Sequence, residues 1–585
     1  MRKTKILATL GPACNDVETM VQMINSGMNA ARINCSHSVG EPRLDTVNKL
    51  KEARKAAGKH VALLLDTKGP EIRTKTLADG KVFLKQGTEF TLTTDDIVGD
   101  DTRVSVTYED LPKDVQVGSR VLIDDGLLEM TVTEIKGANV KCVLVNSGFL
   151  GNRKGINLPD VVVNLPSLTE QDVEDIKFGI QEGFDFIAAS FVRTANDIIN
   201  IRKVLEENGG NHIFIIAKIE SRDGVDNLDS ILEVADGVMV ARGDLGVEIP
   251  PEEVPKVQKN MIRRCNLMGK PVITATHMLE SMCDNPRPTR AEANDVANAI
   301  YDGTDVVMLS GETANGKYPV EAVSMMDRIA CVSEADLDYK QLAKRYRNTS
   351  KNITHVISHA GVDTAFDLDA ACIVPITDSG FAARMVSRSR PKSPILAVTA
   401  SEVVCRQLNL SWGCIPMLSE KPFEGDSEVF DIAEEMALKS GIAKPGNIIV
   451  ALAGVPVGRA GATNTMRVRT VGDVLASGKG NKLGTKKGVA RLFTQTENDG
   501  RTFFEKGDII ICTHTDDSML EHLKKAGALV VGSWEKVDLR HAETIAQVLE
   551  LPLLRIKVKA TDFVKEGTPI TVDTNKGLLI NGYRE

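Results

Sequence analysis

Five apolar segments of this sequence end in polar residues whose types and spacing could do chemistry. Lys218 and Glu220 lie two positions apart at the end of one segment, and Arg242, Gly243 and Asp244 end the next. The other three segments end at residues 32–36, 66–68 and 274–276. Side chains at positions i and i+2 of a β-strand share one face. Because burying an unpartnered charge is costly, we expect these residues to meet partners or ligands.

Residue type suggests two cation sites and a phosphate site. Glu220 and Asp244 offer hard carboxylate oxygens without histidine, a donor set that suits Mg²⁺ (or Mn²⁺) rather than Zn²⁺. An oxygen-rich group with one formal charge suits a monovalent cation, and its members are Asn34, Ser36, Asp66 and the carbonyl of Thr67. Arg32 can bind phosphate through its planar fork, and Lys218 supplies a compact charge for a transferring phosphoryl group.

No Walker P-loop and no dinucleotide-binding glycine motif occurs in the sequence, so side chains and ions would have to hold any phosphates. A single polar strand end is also compatible with an ion pair inside a barrel or with a strand-end cap. Five of them on one rim indicate a functional cleft instead.

The segments that position these residues are short and continuously apolar, as parallel strands buried on both faces are. Eight such strands are predicted, at residues 5–10, 30–36, 61–67, 184–191, 213–219, 237–241, 271–276 and 305–309. Amphipathic helical patterns lie between them, one of which opens with a capping box at Thr289 and Glu292. Eight alternating units predict an α/β fold of the (β/α)₈ TIM-barrel type, with an open doubly wound sheet as the alternative. The polar strand ends would then lie at the barrel's carboxyl end, where active sites of this fold are found.

Further domains are indicated around this barrel. About a hundred residues of short alternating strands with Gly and Asp turns predict an inserted all-β domain at 70–165, able to act as a lid over a barrel formed by 1–69 and 166–345. The α/β pattern then resumes and predicts a smaller domain at 346–475. A charged, glycine-rich linker is predicted at 478–484, followed by an extra domain at 484–585.

Composition excludes several classes of protein. The 585 residues and net charge of −9 argue for a multidomain globular protein without a nucleic-acid partner held by phosphate contacts. No apolar run reaches the ~18 residues of a membrane span, and the apolar run after Met1 is too short for a signal peptide. The 10 cysteines include no CxxC pair, which is typical of reduced thiols, so a cytoplasmic location is expected.

These motifs resemble the pyruvate kinase family. The segment IIAKIESRDGV (215–225) looks like the family signature, and the other motifs follow in the family's order. They are ARINCSH (31–37), LDTKGPEIR (65–73), RGDLGVE (242–248), ATHMLESM (275–282) and RPTRAE (287–292). The resemblance covers residues 1 to about 475.

The resemblance implies a role for each site residue in phosphoryl transfer between phosphoenolpyruvate and ADP. Arg32 and Lys218 would hold the phosphate, and Lys218 would also stabilise the transferring group and the enolate. Glu220 and Asp244 would bind magnesium, and the group Asn34, Ser36, Asp66 and Thr67 would bind potassium. The amides of Gly243 and Asp244 and the Thr276 hydroxyl would hold the substrate carboxylate, and Thr276 lies where a proton must reach C3.

Other residues are implied around this centre. Asn34, His37, Arg73 and Lys154 would face the nucleotide, and Glu71 stands where potassium-dependent members carry glutamate. His277 replaces the usual glutamine and is expected to be a packing residue or a neighbour of the site residues. Cys35 stands where phenylalanine is common and is expected to be a small buried hydrophobe.

The C-terminal third implies regulation. A loop before a helix matches the family's effector loop, which implies binding of a sugar-phosphate or nucleotide activator. The loop comprises Thr377, Asp378, Ser379 and Gly380, and Arg459 would contribute to the same site. The alternative is a plain strand–helix turn. Four further cations, Arg384, Arg388, Arg390 and Lys392, form either part of that site or a solvated face.

The last segment looks like the swivelling phosphohistidine domain of phosphoenolpyruvate-utilising enzymes. His541 falls where those domains place their histidine, but Leu539 and Arg540 replace the usual Thr-Ser before it. We therefore expect His541 not to be phosphorylated. The family implies a homotetramer. Two alternative functions stay open at this point: a magnesium-enolate lyase of barrel-aldolase type, and a non-catalytic sensor of phosphorylated metabolites.

Overall fold

The computed structural model describes residues 1–36, 40–345, 352–423, 425–456, 463–472, 474–493, 504–532, 539–562 and 564–583. The chain divides into two compact units, residues 1–359 with 377–418, and residues 360–376 with 419–585. Among the described residues, no helix combines the length and the apolar composition that crossing a membrane requires.

The first unit begins with two βα segments and a third strand. Their elements are β1 (Lys5–Thr9), α1 (Val17–Asn25), β2 (Ala30–Asn34), α2 (Glu41–Ala57) and β3 (Ala62–Asp66). Asp16 caps α1 by accepting a hydrogen bond from the Thr19 amide, and Gly58 ends α2 in the left-handed conformation.

The insertion predicted at 70–165 is a β structure. Its elements are β4 (Lys81–Leu84), β5 (Glu89–Thr93), β6 (Arg103–Ser105), α3 (Leu111–Asp114), β7 (Arg120–Ile123), β8 (Leu128–Lys136), β9 (Asn139–Leu144), β10 (Gly148–Gly151) and β11 (Ile156–Asn157). Strands β11, β7, β8, β9, β5 and β6 form one sheet in that order, and β10 pairs with β4. Alternating residues of β9 are buried, the pattern of a sheet with one solvated face.

The remaining βα segments follow the insertion. They are α4 (Glu170–Glu182), β12 (Phe186–Ala189), α5 (Ala195–Glu207), β13 (Phe214–Ile219), α6 (Arg222–Asp226), α7 (Leu228–Val234), β14 (Gly237–Ala241), α8 (Arg242–Glu248), α9 (Val254–Met268), β15 (Val272–Ala275), α10 (Arg290–Asp302), β16 (Val306–Leu309), α11 (Gly311–Ala314), α12 (Pro319–Ala335) and α13 (Tyr339–Arg345). The predicted capping box of α10 is confirmed, since Thr289 and Glu292 hydrogen-bond reciprocally.

Eight parallel strands close into a barrel in the order β1, β16, β15, β14, β13, β12, β3, β2. The predicted TIM barrel is thereby confirmed, and the open-sheet alternative is wrong. Its strands are almost wholly buried because the barrel interior covers one face of each strand and the helices cover the other. Strand ends differ from the prediction by at most two residues, and β12 is two residues shorter at each end, since it begins at Phe186 and ends at Ala189.

The chain continues with an α/β region. Its elements are α14 (Ile353–Asp367), β17 (Cys372–Pro375), α15 (Phe381–Arg388), β18 (Ile395–Thr399), α16 (Glu402–Gln407), β19 (Cys414–Leu418), α17 (Glu428–Lys439), β20 (Ile448–Gly454) and β21 (Thr463–Thr470). In the first unit β18 pairs in parallel with β19. In the second unit β20 pairs in parallel with β17 and antiparallel with β21.

The second unit ends in another closed barrel, in the order β22, β26, β25, β24, β23, β27, β28. The elements are β22 (Val474–Gly480), β23 (Thr485–Phe493), β24 (Ile509–Cys512), α18 (Leu520–Leu523), β25 (Ala528–Gly532), α19 (Arg540–Val548), β26 (Leu553–Ile556), β27 (Pro569–Asp573) and β28 (Leu578–Asn581).

The predicted linker at 478–484 is wrong over its first residues, because β22 runs to Gly480. Gly478 and Gly480 are needed for close packing rather than for flexibility. A Cβ atom at either position would clash with a backbone carbonyl oxygen, that of Arg555 or of Thr574 respectively.

Candidate active site

The five polar strand ends meet at the carboxyl end of the barrel. Asn34 pairs in register with Asp66 across β2 and β3. Lys218 pairs with Met239 across β13 and β14, and Ala241 pairs with Ala275 across β14 and β15. A cavity of ≈ 950 Å³ opens there, and its lining includes Arg32, Asn34, Lys218, Glu220, Asp244 and Thr276. The predicted convergence of these segments is confirmed.

Lys218 forms ion pairs with two carboxylates of the site. Its ammonium is 3.1 Å from Asp66 Oδ1 and 2.9 Å from Glu220 Oε1. Burial disfavours its charged form, but Asp66 and Glu220 outweigh burial and raise the pKa of Lys218. The lysine is therefore a fixed positive charge at neutral pH.

Ser190 is a site residue that the sequence analysis missed. Its hydroxyl accepts a hydrogen bond from the Lys218 ammonium at 2.7 Å and donates to the Thr67 carbonyl at 2.6 Å. It lies just past the end of β12, where the prediction continued the strand. A serine at the end of an apolar strand of this barrel is the signal that could have identified it.

The residue after Ser190 also contributes through its backbone. Phe191 has a left-handed φ of 55°, and its amide donates to Glu220 Oε2 at 2.6 Å. A left-handed φ in a bulky residue is uncommon and marks a backbone that its surroundings hold in place. The bond fixes the second carboxylate oxygen of Glu220.

The Glu220 carboxylate is buried, and the Asp244 carboxylate beside it is partly exposed to the cavity. Burial raises the pKa of both groups, and the negative charge of Asp244 raises that of Glu220 further, to about 7, although Lys218 acts in the opposite direction. The pair is therefore short of positive charge. A divalent cation between the two carboxylates would relieve that shortage, so the donor set fits magnesium.

The Arg32 guanidinium is already engaged with neighbouring side chains. Its Nε lies 2.6 Å from Asp66 Oδ2, and one terminal nitrogen donates to the Thr9 hydroxyl at 3.1 Å. Burial opposes ionisation of Asp66, but Arg32 and Lys218 outweigh it and hold the pKa of Asp66 below its usual range. The negative charge of Asp66 thus offsets the positive charges of both phosphate-binding candidates, Arg32 and Lys218.

Thr276 lies against the start of α8, which directly follows β14. A Cβ atom placed on Gly243 would lie 3.0 Å from Thr276 Cγ2, so the glycine leaves room for the Thr276 side chain. Thr276 and the exposed His277 both have left-handed φ values, 72° and 54°. His277 is thus not a packing residue, and the other expectation, a neighbour of the site residues, stays a prediction.

The four monovalent-cation candidates lie on neighbouring segments. The Asn34 side chain accepts a hydrogen bond from the Ser36 amide at 3.0 Å, and Asn34 pairs in register with Asp66. The Thr67 amide donates to the Ala188 carbonyl, while its own carbonyl accepts from Ser190. Cys35 is buried as expected, and burial raises the pKa of its thiol to about 12.

Two of the nucleotide candidates lie together in the inserted domain. Arg73 forms an ion pair with Glu71 at 2.7 Å and bridges to Gly155, the neighbour of Lys154. The Lys154 ammonium is 2.8 Å from Asp124. His37 lies outside the described residues.

The inserted domain touches the barrel beside the site. The Asn157 side-chain amide donates to Glu248 at 2.8 Å, at the end of α8. Burial raises the pKa of Glu248. This contact ties the insertion to the helix that carries Asp244.

The effector-loop candidates directly precede α15. The Thr377 amide donates to the Val398 carbonyl, and Gly380 has a left-handed φ of 76°. Arg384 donates to the Ser379 carbonyl at 3.2 Å. Arg459 lies outside the described residues.

Two of the four cations after this loop are buried rather than solvated, since Arg388 and Arg390 are only 5% and 2% exposed. Arg390 forms an ion pair with Asp305 at 2.8 Å. That alternative is therefore wrong for these two residues.

His541 lies at the start of α19 in the second unit. Its Nδ1 is 2.9 Å from the Thr515 hydroxyl, and its Nε2 is 3.1 Å from Asp517 Oδ1. Both ring nitrogens therefore have a hydrogen-bonding partner.

Comparison with protein-family models matches residues 1–323 to the pyruvate kinase barrel domain and residues 355–469 to the pyruvate kinase alpha/beta domain. Pyruvate kinases of Geobacillus stearothermophilus and Bacillus licheniformis are 46% and 47% identical to this chain, each over 100% of this chain and 99% of the relative. Both bacterial relatives therefore include a counterpart of the C-terminal barrel.

Among solved structures, the chain is similar to a pyruvate kinase from Cryptosporidium parvum, with 41% identity and a TM-score of 0.77. The match covers 80% of this chain and 96% of that one. Sequence identities of 41–47% over nearly the full length of these relatives show a shared family as well as a shared fold. We conclude that the chain belongs to the pyruvate kinase family.

Proposed function

We propose that the cleft at the carboxyl end of the barrel transfers the phosphoryl group of phosphoenolpyruvate to ADP, giving pyruvate and ATP in the last step of glycolysis. The observation that carries the proposal is the charged Lys218, which lies between Asp66 and Glu220 in the lining of the cavity. Phosphoryl transfer depends on positioning and on stabilising the charge of the moving group. As a pyruvate kinase the chain is a phosphotransferase, and its full-length likeness to named pyruvate kinases argues against the lyase and the sensor.

Lys218 and Arg32 are the proposed phosphate-binding residues. Lys218 contributes a point charge that Asp66 and Glu220 keep protonated. Arg32 is held by Asp66 through Nε, which leaves part of its fork facing the cavity. A guanidinium anchored on one side keeps little freedom to lose when phosphate binds.

Glu220 and Asp244 are the proposed ligands of Mg²⁺ or Mn²⁺. No group of three or more His, Cys, Asp or Glu side chains within the described ranges is arranged to hold a metal ion. Two carboxylates nevertheless suit magnesium, which keeps waters and substrate oxygens in its shell. The bound ion would supply positive charge to the substrate's phosphate and carboxylate oxygens.

Asn34, Ser36, Asp66 and Thr67 are the proposed potassium ligands. Support comes from the shared rim of β2 and β3 and from donors that are all oxygen atoms. Glu71, two residues from Arg73, is consistent with a potassium requirement by resemblance to the family.

Thr276 is the proposed group through which the enolate is protonated at C3, directly or through water. Together with the amides of Gly243 and Asp244 it would also hold the substrate carboxylate. The support is the close approach of Gly243 to Thr276. Protonation makes transfer to ADP effectively one-way.

The nucleotide would lie between the barrel and the insertion, against Asn34, His37, Arg73 and Lys154. The insertion would act as a lid that excludes water which could otherwise hydrolyse phosphoenolpyruvate. The contact between Asn157 and Glu248 supports a lid attached to the catalytic rim.

Regulation and assembly complete the proposal. Thr377, Asp378, Ser379 and Gly380, with Arg459, would bind a sugar-phosphate or nucleotide activator, and the enzyme would be a cytoplasmic homotetramer. The proposed domains are 1–69 with 166–345, 70–165, 346–475 and 484–585. The last is proposed to resemble the mobile domain of phosphoenolpyruvate-utilising enzymes and to be structural, without phosphorylation at His541.

The test is steady-state turnover, measured by coupling pyruvate to its reduction to lactate. Pyruvate should form only with phosphoenolpyruvate, ADP and Mg²⁺ present, and K⁺ should raise the rate. Adding phosphorylated sugars and nucleotides singly tests the effector loop. Pyruvate formation that does not need ADP would contradict the proposal and favour the lyase.

A further inference from the structure

The turn that carries Thr276 is strained. Thr276 and His277 have consecutive left-handed φ values of 72° and 54°. Such values are uncommon outside glycine, and in a β-branched residue such as threonine they are outliers. A conformation of this kind persists only where the surrounding structure holds it. Something next to the turn must therefore keep it in place.

The Arg242 side chain contacts the backbone of this turn directly. Its Nε lies 3.0 Å from the Ala275 carbonyl oxygen and 3.2 Å from the Thr276 carbonyl oxygen. One terminal nitrogen donates to the same Thr276 oxygen at 2.6 Å. The planar fork thus binds the carbonyls on both sides of the Thr276 α-carbon.

The fork is itself anchored. Asp295 on α10 accepts from the other terminal nitrogen of Arg242 at 2.8 Å, and its second oxygen lies 2.8 Å from the nitrogen that binds Thr276. The pair is bidentate, which fixes the plane of the guanidinium. The Arg242 side chain is 14% exposed, so water competes little for these bonds.

Arg242 also begins the segment that holds Gly243 and Asp244. Gly243 lies so close to Thr276 that a Cβ atom would approach Thr276 Cγ2 to 3.0 Å. A shift of the turn would therefore reach both the Thr276 hydroxyl and the neighbouring amides.

We propose that Arg242, anchored by Asp295, is a positioning residue that holds the strained turn so that the Thr276 hydroxyl can serve protonation at C3. This inference rests on the proposed role of Thr276. Arg242 touches the backbone of the turn, and nothing in its role requires contact with substrate. Lysine cannot replace it, because an ammonium has no fork to span two carbonyls and a carboxylate.

The test uses the full-length enzyme and three variants, Arg242→Met, Arg242→Lys and Asp295→Asn. Two rates are compared: ATP formation from phosphoenolpyruvate, and exchange of the pyruvate methyl protons with D₂O followed by NMR. Misplacing a group by an ångström can cost about 10²-fold in rate. We expect Arg242→Met to lower the rate of proton exchange by about 10²-fold. The rate of ATP formation should fall by a smaller factor. Arg242→Lys should lower the two rates as Arg242→Met does. Asp295→Asn should also lower proton exchange more than ATP formation, but by smaller factors.

The Michaelis constants give a second readout. The KM for phosphoenolpyruvate should rise in these variants, since Thr276 holds its carboxylate, while the KM for ADP should stay unchanged. If Arg242 only stabilised the fold, both rates would fall in proportion to the fraction of unfolded enzyme. The KM values for phosphoenolpyruvate and ADP would then stay unchanged. Combining Arg242→Met with Asp295→Asn should cost little more than Arg242→Met by itself, because the two residues act as one unit.

Arg202→Met is the matched control. Arg202 forms a similarly half-buried ion pair with Asp236 at 2.5 Å, ahead of β14 at the opposite end of the barrel. Its loss should lower thermal stability and leave the ratio of exchange to ATP formation unchanged.

Thr276→Ala separates the two proposals. If it lowers exchange and the Arg242 variants keep the wild-type ratio, the positioning role is overturned while the proposed function stands. If Thr276→Ala keeps full exchange, the role of Thr276 itself is overturned.

Discussion

The Lys218 ammonium donates a hydrogen bond to the Ser190 hydroxyl across 2.7 Å. The same hydroxyl lies 2.6 Å from the carbonyl oxygen of Thr67, a proposed potassium ligand. One serine therefore joins the phosphate-binding lysine to the monovalent-cation group. Gly69 packs closely against this serine, since a Cβ atom on Gly69 would approach Ser190 Cβ to 2.8 Å.

Ser190→Ala should lower turnover by about tenfold, because a hydrogen bond to a charged group contributes about 1.5 kcal/mol or more. It should also weaken potassium binding, measured as a smaller rise in melting temperature on adding K⁺ and a higher K⁺ concentration for half-maximal activity. Ser230→Ala is the control, since the Ser230 hydroxyl bonds only locally, to the Asn227 carbonyl. An unchanged response to K⁺ would refute the link between the two groups.

Lys218→Met should lower turnover by about 10³-fold or more, the scale seen when a cation that stabilises a phosphoryl group is removed. The reason is the loss of a lysine that Asp66 and Glu220 hold charged in the lining of the cavity. Lys177→Met, which removes an exposed lysine paired with Glu174, should leave the rate unchanged. A near-normal rate for Lys218→Met would remove this lysine from the mechanism.

Lys5 should make stability depend on pH. Burial lowers the pKa of Lys5 to about 8, whereas lysine in an unfolded chain titrates near ~10.4. Between these values the unfolded chain binds more protons than the folded one, so the free energy of unfolding rises with pH. Relative to Lys5→Met, the wild type should gain up to about 1.4 kcal/mol per pH unit in this window.

Thermal or denaturant unfolding of both proteins between pH 7 and 10.5 measures this difference. Below about pH 8 the difference should be constant, because the lysine is charged in both states. Lys49→Met, which removes a surface lysine paired with Asp45, is the control. A constant difference for Lys5→Met would contradict a titrating buried amine.

His541 should not become phosphorylated. Both of its ring nitrogens are engaged, by Thr515 and by Asp517, and the Asp517 carboxylate would repel an approaching phosphate. Incubation with phosphoenolpyruvate labelled in its phosphate should leave no acid-labile label on the enzyme, and His541→Ala should match the wild type. Acid-labile label that disappears in His541→Ala would contradict this expectation.

The barrel was predictable because parallel strands buried on both faces appear as unbroken apolar runs. The prediction failed where a strand contains residue types that are unusual in strands. Strand β22 was taken for a linker because its glycines, which close packing requires, also occur in flexible segments.

The candidate site was predictable in its residue types and only partly in its contacts. Lys218, Glu220 and Asp244 could be placed on one rim from their strand positions alone. Ser190 and the fork of Arg242 could not be assigned, because each acts through backbone carbonyls that sequence patterns do not record. A carbonyl is present at every residue, so only its position in space makes it a partner.

By itself, the sequence determined the fold and the chemistry available at the rim, since hydrophobic periodicity and residue type are local properties of the chain. Only the tertiary structure decided which groups are partners: that Asp66 balances both Arg32 and Lys218, and that Arg242 and Asp295 hold the Thr276 turn. The physical reason is that hydrogen bonds and ion pairs depend on distances of a few ångströms between residues far apart in sequence, and folding alone sets those distances.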